Sequence, residues 1–490
     1  MYFVEQELHV GDFTRIIQDL NKHSHLLTAI LTASLGSFLV LLIWYQTLFL
    51  PIRIPRDTGA FLTIANGILQ GSLPYANLVD HKPPGIYYTI AAALAIEKSI
   101  YPARLLLYLT NAATAVLIVL VGRRLSSLHA GLLAGSLYLA CLTAYQGLWI
   151  LTEQFVALWS MATLLTATYA DRGQSRIYFI IGLTAGIACA YKQTALLTVI
   201  GVLGYFVLCQ EKRRNLAYIL LGISVPGLLI AIFFLAQDAF DDLLFWTVVV
   251  NKSYSGNSLQ TAFEIIHLQI NPVSLVWIGA VGGLLVSYWK RDGFGRSITG
   301  ILFVLSLLPL LLRQYGHYFI QPLPFAVLLT ALFLDDIAHF LNQVTSYKVA
   351  TPWTRTCVIL IFLILFTPTL IGVTNAHHQA TGFSLDDQQA IASDINRLSH
   401  GSENLLVVTA EPQYYFLSGR QPLGENVYYL PINRNNSFTS GSVIQELETE
   451  QPPVVVLRGC DRSPRICDAV MKEYKQKATY NRGISIWVRT

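Results

Sequence analysis

Acid, base and turn-forming residues crowd into one stretch of this chain, Arg56 to Tyr88 (RDTGAFLTIANGILQGSLPYANLVDHKPPGIYY). Arg56 and Asp57 open it, and Asp80-His81-Lys82-Pro83-Pro84 stand near its end. A carboxylate in such a place takes a proton from a hydroxyl when its pKa and access suit. A lysine ammonium beside it holds a phosphate or orients the carboxylate. Plainer roles stand next to these. Asp57 also suits a helix N-cap, with Thr58 adding to it. Lys82-Pro83-Pro84 also suits a stiff loop exit, because paired prolines disfavour helix.

Other polar residues divide in the same way. Glu153 opens an apolar segment, either favouring the helix dipole or serving as a second carboxylate. Lys192 sits in a short turn, either snorkelling to the interface or neutralising a phosphate. Arg313-Gln314-Tyr315-Gly316-His317-Tyr318 reads as an aromatic belt with an interfacial cation. The same run offers Arg313 and His317 as donors to phosphate oxygens, with Tyr318 to flank an isoprenoid. His377-His378 reads as a solvated linker pair. The chain has no GxxxxGK[ST] loop, HExxH or paired CxxC motif, which disfavours an ATP-driven pump.

These residues need elements to hold them, and the composition says which kind. Of 490 residues, 53% are hydrophobic and 13% charged, so a polytopic membrane protein is the class that fits. A net charge of +4 without a Lys/Arg-rich run gives no reason to expect nucleic acid. Residues 1–25 are polar and read as a cytoplasmic segment before an uncleaved first span. Apolar segments follow at Leu26–Leu50, Tyr101–Val121, Leu128–Tyr145, Trp149–Tyr169, Ile177–Tyr191, Thr194–Cys209 and Leu216–Ala236. Four more lie at Val273–Trp289, Ile298–Leu312, Tyr318–Leu334 and Cys357–Val373. Ile86–Ile96 is too short to cross and reads as re-entrant or interfacial. Phe61, Ile64 and Ile68 predict a short amphipathic helix lying along the membrane surface from Asp57, stopped by Gly71 and Pro74.

Positive charge then orients the chain. Arg123-Arg124, Arg172/Arg176, Lys212–Arg214, Lys290/Arg291/Arg296 and Lys348/Arg355 fall on one side only if Ile86–Ile96 does not cross. The expectation is about eleven spans, with the N-terminus inside and the C-terminus outside. Asp57, Asp80–Lys82, Glu153, Lys192, the loop at 237–271 and Arg313–His317 then all lie outside. The membrane domain is expected over 26–374, with a first outside loop at 51–100. From 375 to 490 the composition becomes that of a soluble domain. Ser384-Leu385-Asp386-Asp387 is a capping-box pattern before Ile391, Ile395 and Leu398. Leu405–Thr409, Val454–Leu457 and Ile484–Val488 read as strands, and Val443–Glu450 and Ala469–Gln476 as helices, giving a small α/β domain. Cys460 and Cys467 read either as a disulfide or as two thiols; the other cysteines read as packing residues.

Motif order adds a resemblance. An Asp on the first outside loop precedes LPYANLVDHKPPGIYY, then TEQF, YKQTALL and RQYGHYFIQPLP. This order resembles the polytopic GT-C glycosyltransferases, near the protein O-mannosyltransferase and lipid A aminoarabinose transferase group. AEPQYYFLSGRQP resembles tails of bacterial members. The resemblance implies an all-α membrane enzyme with a C-terminal α/β domain, in the plasma (inner) membrane. It would move a sugar from a polyprenyl-phosphate donor to an extracytoplasmic acceptor by an inverting route. Asp57 would be the base, and Lys82, Lys192 and the Arg313/His317 segment would hold the carrier phosphate. Two departures stand out: Thr58 where many members have a second acid, and His81 where the aminoarabinose enzymes have an acid beside the lysine. A divalent metal is therefore left open. A lipid or sugar transporter and a non-catalytic scaffold are the rival classes; a transporter predicts polar residues within spans and paired broken helices.

Overall fold

The computed structural model describes residues 24–47, 53–170, 173–253, 264, 266–268, 270–290, 294–312, 315–344, 351–379, 383–399, 404–408, 411–427, 437–459 and 464–490. Its membrane part is helical throughout. In order come α1 (Ser24–Thr47), α2 (Arg56–Leu69), α3 (Gly85–Leu94), α4 (Ile100–Leu125), α5 (Leu128–Leu142), α6 (Thr152–Ala167) and α7 (Ser175–Cys189). Then follow α8 (Leu196–Leu208), α9 (Arg213–Leu235), α10 (Phe240–Leu244), α11 (Val250–Ser253), α12 (Ser274–Lys290), α13 (Phe294–Leu312), α14 (Leu323–Val344) and α15 (Thr351–Gln379). Among the described residues six helices are long and apolar enough to cross a bilayer, and others are shorter apolar pieces. Leu228, Leu229 and Ile232 of α9 and Ile361, Ile364 and Leu365 of α15 stay exposed. Such apolar flanks suit hydrocarbon, where the helix satisfies its own backbone. Inside the bundle α7 runs against α9, α4 against α5, and α12 against α14.

The last part is a separate layer of strands and helices. It holds α16 (Leu385–Leu398), β1 (Asn404–Val408), α17 (Gln413–Ser418), β2 (Gln421–Pro422) and α18 (Ser437–Glu450). β3 (Val454–Arg458), α19 (Pro464–Glu473), β4 (Tyr474–Tyr480) and β5 (Ile484–Arg489) complete it. The sheet order is β2-β1-β3-β5-β4. β1 pairs in parallel with β2 and β3, while β5 pairs antiparallel with β3 and β4. Leu405 and Val407 bury into one core and Leu406 and Val408 into another, the alternation a central strand needs. Ser384 caps α16 through the reciprocal bonds with Asp387 that its sequence announces. Cys467 is disulfide-bonded, and Cys460 lies outside the described residues.

Two expectations are corrected. Residues expected to make a helix over Ala469–Gln476 instead end α19 at Glu473 and continue as β4. Lys475 and Lys477 are exposed on this edge strand, where charge blunts unwanted pairing and hides the strand pattern. α2 is the second. It does not lie wet on one side, because every residue from Thr58 to Gly67 is buried. Its core includes Phe61, Tyr75 and Tyr87 and also Leu385 and Phe416 of the C-terminal domain. The domain covers the face that the sequence left to water.

Candidate active site

Asp57 is in the first turn of α2, but the N-cap is Pro55, which makes no side-chain cap bond, so Asp57 is not the cap. Its side chain is 26% exposed, and Arg56 Nε lies 3.9 Å from it, itself largely open to solvent. Thr58, which stands where the family resemblance expects a second acid, donates to the Ile150 carbonyl at 2.9 Å. That bond ties α2 to the segment leading into α6. Asp57 thus keeps a fixed backbone and an accessible carboxylate.

The loop between α2 and α3 builds a chain of polar contacts. Asp80 is buried and accepts from the Tyr87 hydroxyl at 2.7 Å and from the His81 backbone N–H at 2.7 Å. His81 Nδ1 lies 2.9 Å from Asp80 Oδ1, and Lys82 Nζ lies 3.1 Å from His81 Nε2. An ammonium only donates, so Nε2 accepts and Nδ1 carries the proton toward Asp80. Burial alone would raise the Asp80 carboxyl; Lys82, His81 and the Tyr87 hydroxyl together hold it well below the usual carboxylate range. For His81, burial and then Lys82 lower the pKa against the pull of Asp80, so the ring is neutral at pH 7. The His81 carbonyl accepts from Gln193 Nε2 and from Asn251 Nδ2, each at 2.9 Å. The Tyr75 hydroxyl donates to the Lys82 carbonyl at 2.6 Å.

A second group closes the site from α6, the α7–α8 turn and the Gly316–Ile320 turn before α14. Lys192 and Glu153 form a buried ion pair. The Lys192 ammonium also sits 3.6 Å from the centroid of the Tyr318 ring, which gives it an aromatic face in place of water. His317 Nε2 is 3.7 Å from Glu153 Oε1, and its Nδ1 is 3.2 Å from Gln146 Oε1. Burial lowers the His317 pKa, Glu153 and Asp57 pull it up, and Lys192 and Lys82 push it down again. Gly85 joins this group to the loop: its N–H donates to the Ala190 carbonyl at 2.8 Å, and a Cβ there would meet that oxygen at 2.5 Å.

Asp57 acts electrostatically on both His81 and His317, and Lys82 acts on Asp80, Glu153 and His317. Asp57, Asp80, His81, Lys82, Glu153, Lys192, His317 and Tyr318 therefore meet at one end of the bundle. Arg313 lies outside the described residues. Tyr87, Gln193, Asn251 and Gln146 also belong here, though the sequence did not single them out. The Tyr87 hydroxyl reaches back only seven residues to Asp80, but the amides of Gln193, Asn251 and Gln146 lie 112, 170 and 171 residues from the His81 and His317 groups they touch, and no local spacing announces that. Among the described residues no three of His, Cys, Asp or Glu gather as a metal would need.

Residues 81–236 match the family of dolichyl-phosphate-mannose-protein mannosyltransferases. No curated protein sequence matches the chain. Among solved structures, ArnT from Cupriavidus metallidurans bound to undecaprenyl phosphate is 12% identical, with a TM-score of 0.62 over 94% of this chain and 98% of that one. The archaeal oligosaccharyltransferase AglB from Archaeoglobus fulgidus, in complex with an inhibitory peptide and a dolichol-phosphate, is 14% identical. Its TM-score is 0.52, over 93% of this chain and 74% of that one. The arabinofuranosyltransferase AftD from Mycobacteria is 14% identical with a TM-score of 0.54, over 93% of this chain and 40% of that one. At these identities the likeness is one of fold. The chain thus shares the fold of these three membrane glycosyltransferases along nearly its whole length, and its residues 81–236 match the protein-mannosyltransferase family model.

Proposed function

We propose that this protein is an integral-membrane inverting glycosyltransferase, moving a sugar from a polyprenyl-phosphate donor to an acceptor hydroxyl outside the cytoplasm. The observation that supports this best is the meeting of the accessible Asp57 carboxylate with Lys82, Lys192 and two histidines at one end of the helix bundle. Asp57 takes the acceptor hydroxyl proton as the oxygen attacks the anomeric carbon. The bond from that carbon to the phosphate oxygen breaks, and its electron pair leaves with the polyprenyl phosphate. Lys82 faces the growing negative charge, its ammonium aimed by His81, which Asp80 and Tyr87 hold in one tautomer. Lys192 adds positive potential from its pair with Glu153, and His317 completes the phosphate side.

The donor enters sideways from the bilayer, since its chain gains about 0.8 kcal/mol per buried CH₂ there. The acceptor comes from water, beneath the C-terminal domain; part of the 237–271 loop expected to join it there lies outside the described residues. Positive charge at 123–124, 212–214 and 290–296 supports an N-terminus in the cytoplasm and a sheet domain outside an inner, plasma membrane. The fold's relatives solved with undecaprenyl phosphate and dolichol-phosphate support the donor class. Reconstituted Asp57→Asn protein is expected to lose sugar transfer while still binding undecaprenyl phosphate. Transfer retained in that variant removes Asp57 as the base.

A further inference from the structure

The helix that presents Asp57 has no capping side chain of its own, since its N-cap is Pro55. A helix start leaves backbone groups in need of partners. What fixes this one comes from 334 residues further along the chain. Gln388 of α16, fully buried, accepts from the Ile54 N–H at 2.7 Å and donates from Nε2 to the Ile54 carbonyl at 2.9 Å. One amide thus engages both polar groups of Ile54, as a neighbouring strand would.

The same domain grips α2 twice more. Gly59 packs on the backbone of Gln413, where a Cβ would meet the Gln413 nitrogen at 2.6 Å. Thr63 Oγ1 donates to the Pro412 carbonyl at 3.1 Å. It also reaches the second acid: the Val79 N–H, next to Asp80, donates to the Glu425 carbonyl at 2.8 Å.

We infer that Gln388 is a positioning residue, and that the C-terminal domain, through the Gln388–Ile54 clamp and the Gly59–Gln413 contact, sets where α2 holds the Asp57 carboxylate. The inference rests on the transferase reading, in which Asp57 is the base. Ile54 stands three residues before Asp57, so a slip at the clamp passes directly into the first turn. Misplacing a reacting group by about 1 Å costs roughly 100-fold in rate. The membrane helices alone therefore carry the acid but not its alignment.

The test uses the full-length protein in lipid nanodiscs, with undecaprenyl-phosphate-linked sugars for turnover and undecaprenyl phosphate for binding. Gln388→Met keeps the volume and removes both bonds; Gly59→Ala forces apart the separate Gly59–Gln413 contact. Both are expected to raise amide exchange over 54–60 and to lower turnover by about 10- to 100-fold, with lipid binding unchanged. Asp387→Ala removes the carboxylate half of the α16 capping box and leaves the clamp, so it is expected to lower the melting temperature with turnover intact. Wild-type turnover or unchanged exchange in Gln388→Met overturns the inference. So does an equal loss of turnover in Asp387→Ala, which would mean domain stability alone. If the unaltered protein consumes no donor lipid, the transferase reading fails, and the exchange measurement by itself decides whether the clamp holds α2.

Discussion

Charged residues gather at both ends of the helix bundle, and the two gatherings are built differently. At one end Asp335 is bound by Arg355 and Ser126, and Asp336 accepts from Lys290 at 3.0 Å and Arg296 at 2.7 Å. Each of those carboxylates is closed by cations or a hydroxyl from neighbouring helices. At the other end Glu153 is closed by Lys192, and Asp80 by His81 and Tyr87, but Asp57 keeps 26% of its side chain exposed. α6 joins the ends. Glu153 is in its first turn, and the Thr168 carbonyl just past it accepts from Arg124 at 2.7 Å, about 22 Å away at 1.5 Å per residue. The closed end reads as a fastening between helices. The open end keeps one acid unspent, with other groups spent in orienting its surroundings, which is the arrangement a reaction requires.

The sharpest way to break this contrast is to neutralise one acid at each end. Asp57→Asn is expected to lower transfer by about 10²- to 10⁴-fold, the range for a lost general base, with thermal stability near that of the unaltered protein. Asp335→Asn is expected to do the reverse: lower the melting temperature and leave single-turnover transfer in place. Equal losses of transfer in both would erase the distinction.

Next in size is the Glu153–Lys192 pair. Removing one partner strands a buried charge, so Glu153→Gln or Lys192→Met alone is expected to destabilise by about 3–5 kcal/mol. The double variant is expected to recover most of that loss in denaturation experiments but not the transfer rate. Recovery of both would make the pair a fastening like Asp335–Arg355.

Lys82→Met is expected to weaken undecaprenyl phosphate binding by about 1.5–3 kcal/mol, the value of a charge-assisted hydrogen bond. Unchanged binding in a direct titration would move the phosphate away from Lys82. The smallest effect is on pH. His81 and His317 both have folded pKa values lowered chiefly by burial. Their contribution to stability is therefore complete above the ordinary histidine value of about 6.5 and is lost as pH falls below it toward the lowered values. Melting temperature is expected to drop between about pH 7.5 and 5.5, and less steeply in a His81→Asn, His317→Asn variant.

Much of this molecule follows from local sequence. The apolar runs become helices because a bilayer needs long stretches free of charge, and each cluster of arginine and lysine falls between them. Asp57, Lys82 and His317 were marked by their type and by their place beside apolar segments. The capping box of α16 was legible because its partners are three residues apart. Pairings over long distance were not. Glu153 and Lys192 are 39 residues apart, each with a sound local reading as a helix-end acid and an interfacial lysine. Only packing of α6 against the α7–α8 turn makes them one buried pair.

α2 shows the same division in a single element. Phe61, Ile64 and Ile68 determined that residues 56–69 would be a helix with one apolar face, because that pattern needs nothing beyond a period of 3.6. Whether its other face meets water or protein depended on a domain more than 300 residues away, whose Gln388, Pro412 and Gln413 close over it. Sequence periodicity reports the side a helix must bury, while the partner that covers the rest is chosen by where the chain returns.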